Sequence, residues 1–370
     1  MSRGREPDGP ETTAPPPRAN PELLGHEAAE AALRRLFEQD RLPHALLLTG
    51  PRGIGKATLA FRLARFVLAH SSGEIGAGLF EAAAGEGLFI PPDIGVFRRV
   101  ASGGHADLLT IERTYNQRLG RLRNEILVDN VREIANFLHL TSAEGGWRVA
   151  IVDGAEAMNA SSENAVLKIL EEPPGRALLL LVSHRPGRLL PTIRSRCRKL
   201  RLSPLAPELM RQLLARYRPD LDAQHAEAIA ALAEGSIGRA LDLASAGGVE
   251  LYRSVLDLLS RDSGIDATAL HAFADRLARR EADESYRAVG ELIGQLLARL
   301  ALAAARPFDP SSPSAEDTAV LRRLGGRAPA ARWAELRAEI GQSFTRTDDL
   351  NLDRKQTILG AFFAIERAGG

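Results

Sequence analysis

The pattern of apolar and polar positions divides the chain at about residue 204. Before it, short apolar runs alternate with segments of helical spacing; after it, only helical spacing is found. The runs Ala45-Leu46-Leu47-Leu48, 107–111, 147–153 and 177–182 are short and apolar nearly throughout. Strands covered on both faces have that pattern, and such strands belong to parallel sheets. Helices are predicted between them. Leu23, Leu24, Ala28, Ala32, Leu33, Leu36 and Phe37 recur at helical spacing, and 59–68 reads as a second helix. Ile126-Leu127-Val128 introduces a third, with Val131, Ile134, Ala135 and Leu138 on one side. A fourth carries Val166, Ile169 and Leu170 as its buried stripe, with Ser161 as candidate N-cap and Pro173-Pro174 as its stop. Alternating strands and helices predict a doubly wound parallel α/β core. A short strand is expected to end at Leu202. Beyond Ser203-Pro204 the chain reads as all-α: helices over 207–217 and 223–232, one opened by Gly235-Ser236-Ile237-Gly238, then longer amphipathic helices from about Val249, broken at Arg306-Pro307. The last is opened by Asn351-Leu352-Asp353.

A length of 370 residues with 45% apolar content accommodates two or three domains. The net charge of +1 supplies no global basic field, so nucleic acid would have to be met locally or through partners. One cysteine, Cys197, excludes a disulfide framework and a cysteine-rich metal site, and makes cytoplasm the expected compartment. Cys197 lies among arginines without a His or an acid as partner and reads as a small semi-buried thiol. Residues 1–20 are rich in proline and charge, without the apolar stretch of a signal peptide, and are expected to be a disordered tail. No apolar run is read as approaching the roughly 20 residues of a membrane span, so no membrane partner is expected. His44 reads as structural. Residues 71–105 look like a loose insertion. For Arg113, Arg118, Arg121 and Arg123, a solvated basic loop and a phosphate-contact patch both stay open.

The chemistry concentrates in Gly50-Pro51-Arg52-Gly53-Ile54-Gly55-Lys56-Ala57-Thr58, between a predicted strand and a predicted helix. This is the context of a phosphate-binding loop. Gly50, Gly53 and Gly55 let backbone N–H groups turn inward toward phosphate, and Lys56 adds a point charge at a helix N-terminus. A Ser or Thr hydroxyl that would hold magnesium is expected right after the lysine; here stands Ala57, and Thr58 is about 100° further round a helix. Asp153 ends an apolar strand, as the magnesium-binding acid of such sites does, but Gly154 stands where hydrolytic members carry a water-polarising Glu. The loop is therefore expected to hold ATP or ADP, or to persist as a scaffold, and to hydrolyse poorly.

Three motifs in order carry a resemblance: the loop 50–56, the stretch Asn164-Ala165-Val166-Leu167-Lys168-Ile169-Leu170-Glu171-Glu172-Pro173-Pro174, and Ser195-Arg196-Cys197. Together they resemble the clamp-loader branch of the AAA+ ATPases, and within it the delta-prime subunits of bacterial DNA polymerase III. The resemblance implies an AAA+ core at 21–204, a small helical lid at 205–262 and a helical collar at 263–370. It implies a stator that offers Arg196 in trans to a neighbour's nucleotide site, with Arg239 in the place of a second sensor arginine. The implied partners are gamma/tau and delta subunits, with the sliding clamp and primed DNA reached through the complex. Relatives often carry a four-cysteine zinc module where residues 71–105 stand. That stretch has no cysteine and only His105, so no zinc is expected. An active motor ATPase of the same machine is the alternative reading. An unrelated P-loop kinase or GTPase is a third, disfavoured by the all-helical second half.

Overall fold

The structure is a computed structural model, which describes residues 14–71, 87–113, 115–116, 121–122, 125–261, 264–305 and 315–368. The described residues fall into two compact units: 14–213 with 235–238, and 214–234 with 239–368. The expected lid and collar segments lie in the second unit, except that 205–213 and 235–238 belong to the first.

The first unit is built on a parallel sheet of β1 (Ala45–Thr49), β2 (Leu108–Ile111), β5 (Arg148–Asp153), β6 (Ala177–Ser183) and β7 (Arg198–Arg201), in the order β2-β5-β6-β1-β7. Two short strands, β3 (Tyr115–Asn116) and β4 (Arg121–Leu122), form a separate antiparallel pair. Alternate residues of each central strand feed two cores. Leu46, Leu48, Val149, Ile151, Leu178, Leu180 and Val182 enter one layer with α2 (Lys56–Ser71) and α3 (Gly95–Ala101). Leu47, Ala150, Val152, Leu179 and Leu181 enter the other, with α4 (Val128–His139), α5 (Ala160–Glu171) and α6 (Pro191–Arg196). Double coverage is why these strands read as unbroken apolar runs. The helix α1 (Glu27–Glu38) completes the first layer.

Several local expectations need correction. Asn159, not Ser161, caps α5: its side chain accepts from the Ser162 N–H, and the Ser162 hydroxyl donates to Ile126 O at 2.8 Å. Within 71–105, residues 72–86 lie outside the described residues. The remainder is ordinary core: Leu88, Ile90, Val96, Phe97 and Val100 are buried in the first layer. A seven-residue helix is too short for its period to stand out. Residues 14–20, expected in the tail, are strapped to the core. Arg65, itself buried, donates to Arg18 O (2.9 Å) and Asn20 O (2.6 Å) and stacks on Phe97. Arg62 pairs with the buried Glu30 and donates to Pro21 O. Two arginines inside an apolar helix thus find main-chain acceptors, which their burial requires. His105 and Asp107 are buried as well, and Asp107 binds the turn at 142–144.

The second unit is helical throughout. Its long pair, α7 (Asp283–Ala305) and α8 (Ala330–Leu350), approaches closely at Gly290. A Cβ there would lie 2.6 Å from Phe344 Cδ1. Tyr286 stacks on Phe344 with centroids 5.0 Å apart. By length and composition alone, 280–305 would suffice to cross a membrane, contrary to the sequence reading. Here Leu292, Ile293, Leu296, Leu297 and Leu300 are fully buried among the unit's other helices. The core of this unit is crossed by an Arg299–Asp317 pair (2.6 Å), with the Tyr252 hydroxyl donating to the same carboxylate.

Candidate functional site

The loop 50–55 joins β1 to α2 above the C-terminal edge of the sheet, where ligands of open α/β sheets bind. Gly50, Gly53 and Gly55 all have positive φ, at 143°, 74° and 102°. At Gly50 a Cβ would also lie 2.5 Å from Leu202 O, so side chains are excluded twice over. The loop is braced from both sides. His26 Nε2 bonds Ile54 O at 2.7 Å. The Ser236 hydroxyl donates to Arg52 O (2.7 Å), and the Gly238 N–H donates to Gly53 O (2.9 Å). Gly238 must be glycine for this approach, since its Cβ would come within 2.9 Å of Gly53 Cα. From sequence Ser236 and Gly238 read only as the opening of a helix; both stand some 180 residues from the loop they hold.

Lys56 opens α2 and is buried. Its ammonium donates to Gly50 O at 2.8 Å and to Pro51 O. Burial lowers its pKa to about 8 against the opposing charges of Glu156 and Asp153, with Arg52 adding to the depression. Asp153, at the end of β5, is pushed above the usual carboxylate range by burial and by Glu112 and Glu156. Lys56 and the Gly154 N–H oppose the shift. Gly154 itself has φ 79°, a conformation a Glu there would adopt only with strain.

Glu156 and His184 are functional candidates missed from sequence. Both Glu156 carboxylate oxygens lie 3.2 Å from the His184 N–H, just after β6. Burial and the cationic charge of Lys56 push the imidazole down to about 4, so it is neutral at physiological pH. Its Nδ1 is buried without a partner. The ends of β1, β5 and β6 therefore bring Lys56, Asp153, Glu156 and His184 together. The signal available in sequence was position alone, directly after an apolar run.

These residues fit a phosphate group: inward-turning backbone, a helix N-terminus and Lys56. They fit magnesium less well. Ala57 offers no hydroxyl, and Thr58 is buried on the helix; Asp153 and Glu156 are the oxygen donors at hand.

Arg196 closes α6, a helix of six residues. Its guanidinium pairs with Glu171 Oε1 at 3.0 Å, the two side chains being 40% and 52% exposed. Glu171 ends α5, which leads into the start of β6, so Arg196 lies toward the N-terminal ends of the strands. Its own phosphate loop caps the C-terminal ends. Cys197 is buried, and burial pushes its thiol up to about 11, the inert case. Arg239 belongs to the second unit, half-buried between Glu234 (3.8 Å) and Glu291 (3.6 Å). Of the basic loop, Arg113 is exposed; Arg118 and Arg123 lie outside the described residues.

The family described as "DNA polymerase III, delta subunit" matches residues 25–206. DNA polymerase III subunit delta' of Pseudomonas aeruginosa is 38% identical over 194 residues, 52% of this chain and 53% of that protein. The subunit gamma/tau of Mycobacterium tuberculosis is 32% identical over 53% of this chain and 30% of that protein. The subunit tau of Escherichia coli is 26% identical over 90% of this chain and 49% of that protein. The matched segments thus span about half or less of these relatives' lengths. A solved DNA polymerase III gamma subunit-related protein of Thermotoga maritima is 18% identical, with a TM-score of 0.39, over 91% of this chain and 99% of that one. The phosphate loop, the 164–174 stretch and Ser195-Arg196-Cys197 all lie inside the matched segment, so residues 25–206 are similar to the clamp-loader subunits of DNA polymerase III, delta-prime and gamma/tau alike.

Proposed function

We propose that this chain is the delta-prime-type stator of a bacterial clamp loader. It works in a ring with gamma/tau and delta subunits that loads a sliding clamp onto primed DNA in the cytoplasm. In this reading Arg196 is an arginine finger for a neighbour's nucleotide, and the helical collar segment holds the ring together. One observation carries it: Arg196 lies at the end of the sheet away from its own phosphate loop, so the phosphate it serves belongs to another subunit. A guanidinium forks onto phosphate oxygens and stays charged, as that role needs. The contact with Glu171 is exposed and worth only about 0–1 kcal/mol, so a phosphate outcompetes it.

The chain's own site, made of Gly50, Gly53, Gly55, Lys56, Thr58 and Asp153, is read as binding ATP or ADP with little turnover, and the resemblance alone offers Arg239 as a second sensor arginine. Catalysis of phosphoryl transfer rests on positioning and electrostatics, and both the magnesium hydroxyl and the water-polarising acid are replaced. The isolated chain is expected to show negligible ATP hydrolysis in a coupled assay. A turnover abolished by Lys56→Ala would favour the motor reading instead. No zinc is expected in the purified protein; one equivalent by metal analysis after dialysis would overturn that.

Lys56 makes binding pH-dependent. A phosphate favours the protonated ammonium, whose pKa without it is about 8. Nucleotide binding therefore takes up protons, and affinity is expected to fall up to about tenfold per pH unit above 8 while staying level below 7. Calorimetry of ADP binding between pH 7 and 9 checks this; an affinity independent of pH would contradict it.

A further inference from the structure

The sequence between Glu172 and Glu208 contains no acidic residue and eight Lys or Arg, in a chain whose net charge is +1. Five of the eight fall at Arg194, Arg196, Arg198, Lys199 and Arg201. The structure sets the last three on β7, the edge strand beside β1, in register from Arg198 opposite Leu46 to Arg201 opposite Thr49. The strand is held inward by Leu200 and Leu202 in one core layer and by the preceding Cys197 in the other. Arg198, Lys199 and Arg201 are exposed, and none has an acidic partner among the described residues. Only Arg196 in this group has one, Glu171.

We propose that the outer edge of β7 is a sequence-independent contact for the phosphodiester backbone of nucleic acid, made by Arg198, Lys199 and Arg201. Three cations are spread over about 10 Å of a rigid strand, at roughly 3.3 Å per residue, with Arg198 on the face of Leu200 and Leu202 and with Lys199 and Arg201 on the face of Cys197. They release counterions when they meet phosphates, which is the main source of non-specific affinity. A protein-binding patch would be centred on apolar or aromatic side chains and poor in lysine. This edge shows neither an aromatic side chain nor a fully exposed apolar one. Without aromatics for bases to stack on, it reads the backbone alone and does not single out one sequence. The contact is separate from the role given to Arg196, which the test leaves intact.

The test uses the full-length chain and a short fluorescent duplex of arbitrary sequence, followed by anisotropy between about 50 and 200 mM salt. The wild type is expected to bind at low salt with a Kd on the order of 10 μM, weakening linearly in log–log form as salt rises. The triple variant Arg198→Ala/Lys199→Ala/Arg201→Ala should bind at least about tenfold more weakly at low salt, with the slope reduced by about 2–3. Lys199→Ala alone should reduce it by about 1. Circular dichroism and melting of both variants should match the wild type, because the side chains are exposed. An unchanged slope in the triple variant overturns the proposal. So does unchanged duplex binding with loss of partner subunits, which would make the edge a protein contact. Unchanged duplex binding with new self-association also overturns it, since the charges would then only keep the edge from pairing.

Discussion

Arg196→Ala is expected to leave this chain folded and assembled with its ring partners, while nucleotide hydrolysis and clamp loading by the complex fall. A neighbour's arginine is worth roughly 10³–10⁵ in rate at the site it serves in well-studied GTPases. The loss summed over a ring is smaller, because only one site faces this subunit. Glu171→Gln is the control. Its contact with Arg196 is exposed at both ends, so its removal should move the melting temperature by little and leave hydrolysis near the wild-type rate. If Arg196 served only to hold its own loop, both variants would lose stability or assembly together. Normal stimulated hydrolysis in an intact ring carrying Arg196→Ala would end the finger reading.

Asp107→Ala should be the most destabilising single change in the first unit. The carboxylate is fully buried and accepts from the Ser142 hydroxyl (2.8 Å), the Ala143 N–H (2.9 Å) and the Glu144 N–H (3.0 Å). Arg148, also buried, stands 3.4 Å away. Truncation strands those donors and a buried cation, at a cost of about 3–5 kcal/mol. That corresponds to a fall in melting temperature on the order of 10 °C for a unit of this size. Burial alone would raise this carboxyl's pKa, but the three hydrogen bonds and Arg148 outweigh it and hold it below the usual range. A depressed folded pKa contributes stability that is present above the unfolded value near 4 and is lost as pH falls through the folded one. Wild type should therefore lose more stability than Asp107→Asn between about pH 5 and pH 2. Equal pH dependence of the two proteins, followed by chemical denaturation, would refute the assignment.

What could be read from the sequence follows from local causes. Strands β1, β5 and β6 were legible because a strand covered on both faces must be apolar at every position, and α2 because three glycines and a lysine have few other uses between a strand and a helix. Lys56, Asp153 and Arg196 could be singled out as candidates because each stands in a motif contiguous in the chain. Short or cryptic elements were not: α3 spans seven residues, and the cap at Asn159 stood two positions before the serine that composition suggested. The 280–305 helix was passed over as a span-length apolar segment because its seven charges break the run by eye, while its burial comes from neighbours that no window of sequence contains. Tertiary structure alone decided the rest. It joined Ser236 and Gly238 to a loop 180 residues earlier, turned the arginines of α2 inward onto an N-terminal strap, and set Glu156 and His184 beside Lys56. Contacts between distant segments depend on strand order, and strand order is settled by packing the two core layers together rather than by any stretch of residues read alone.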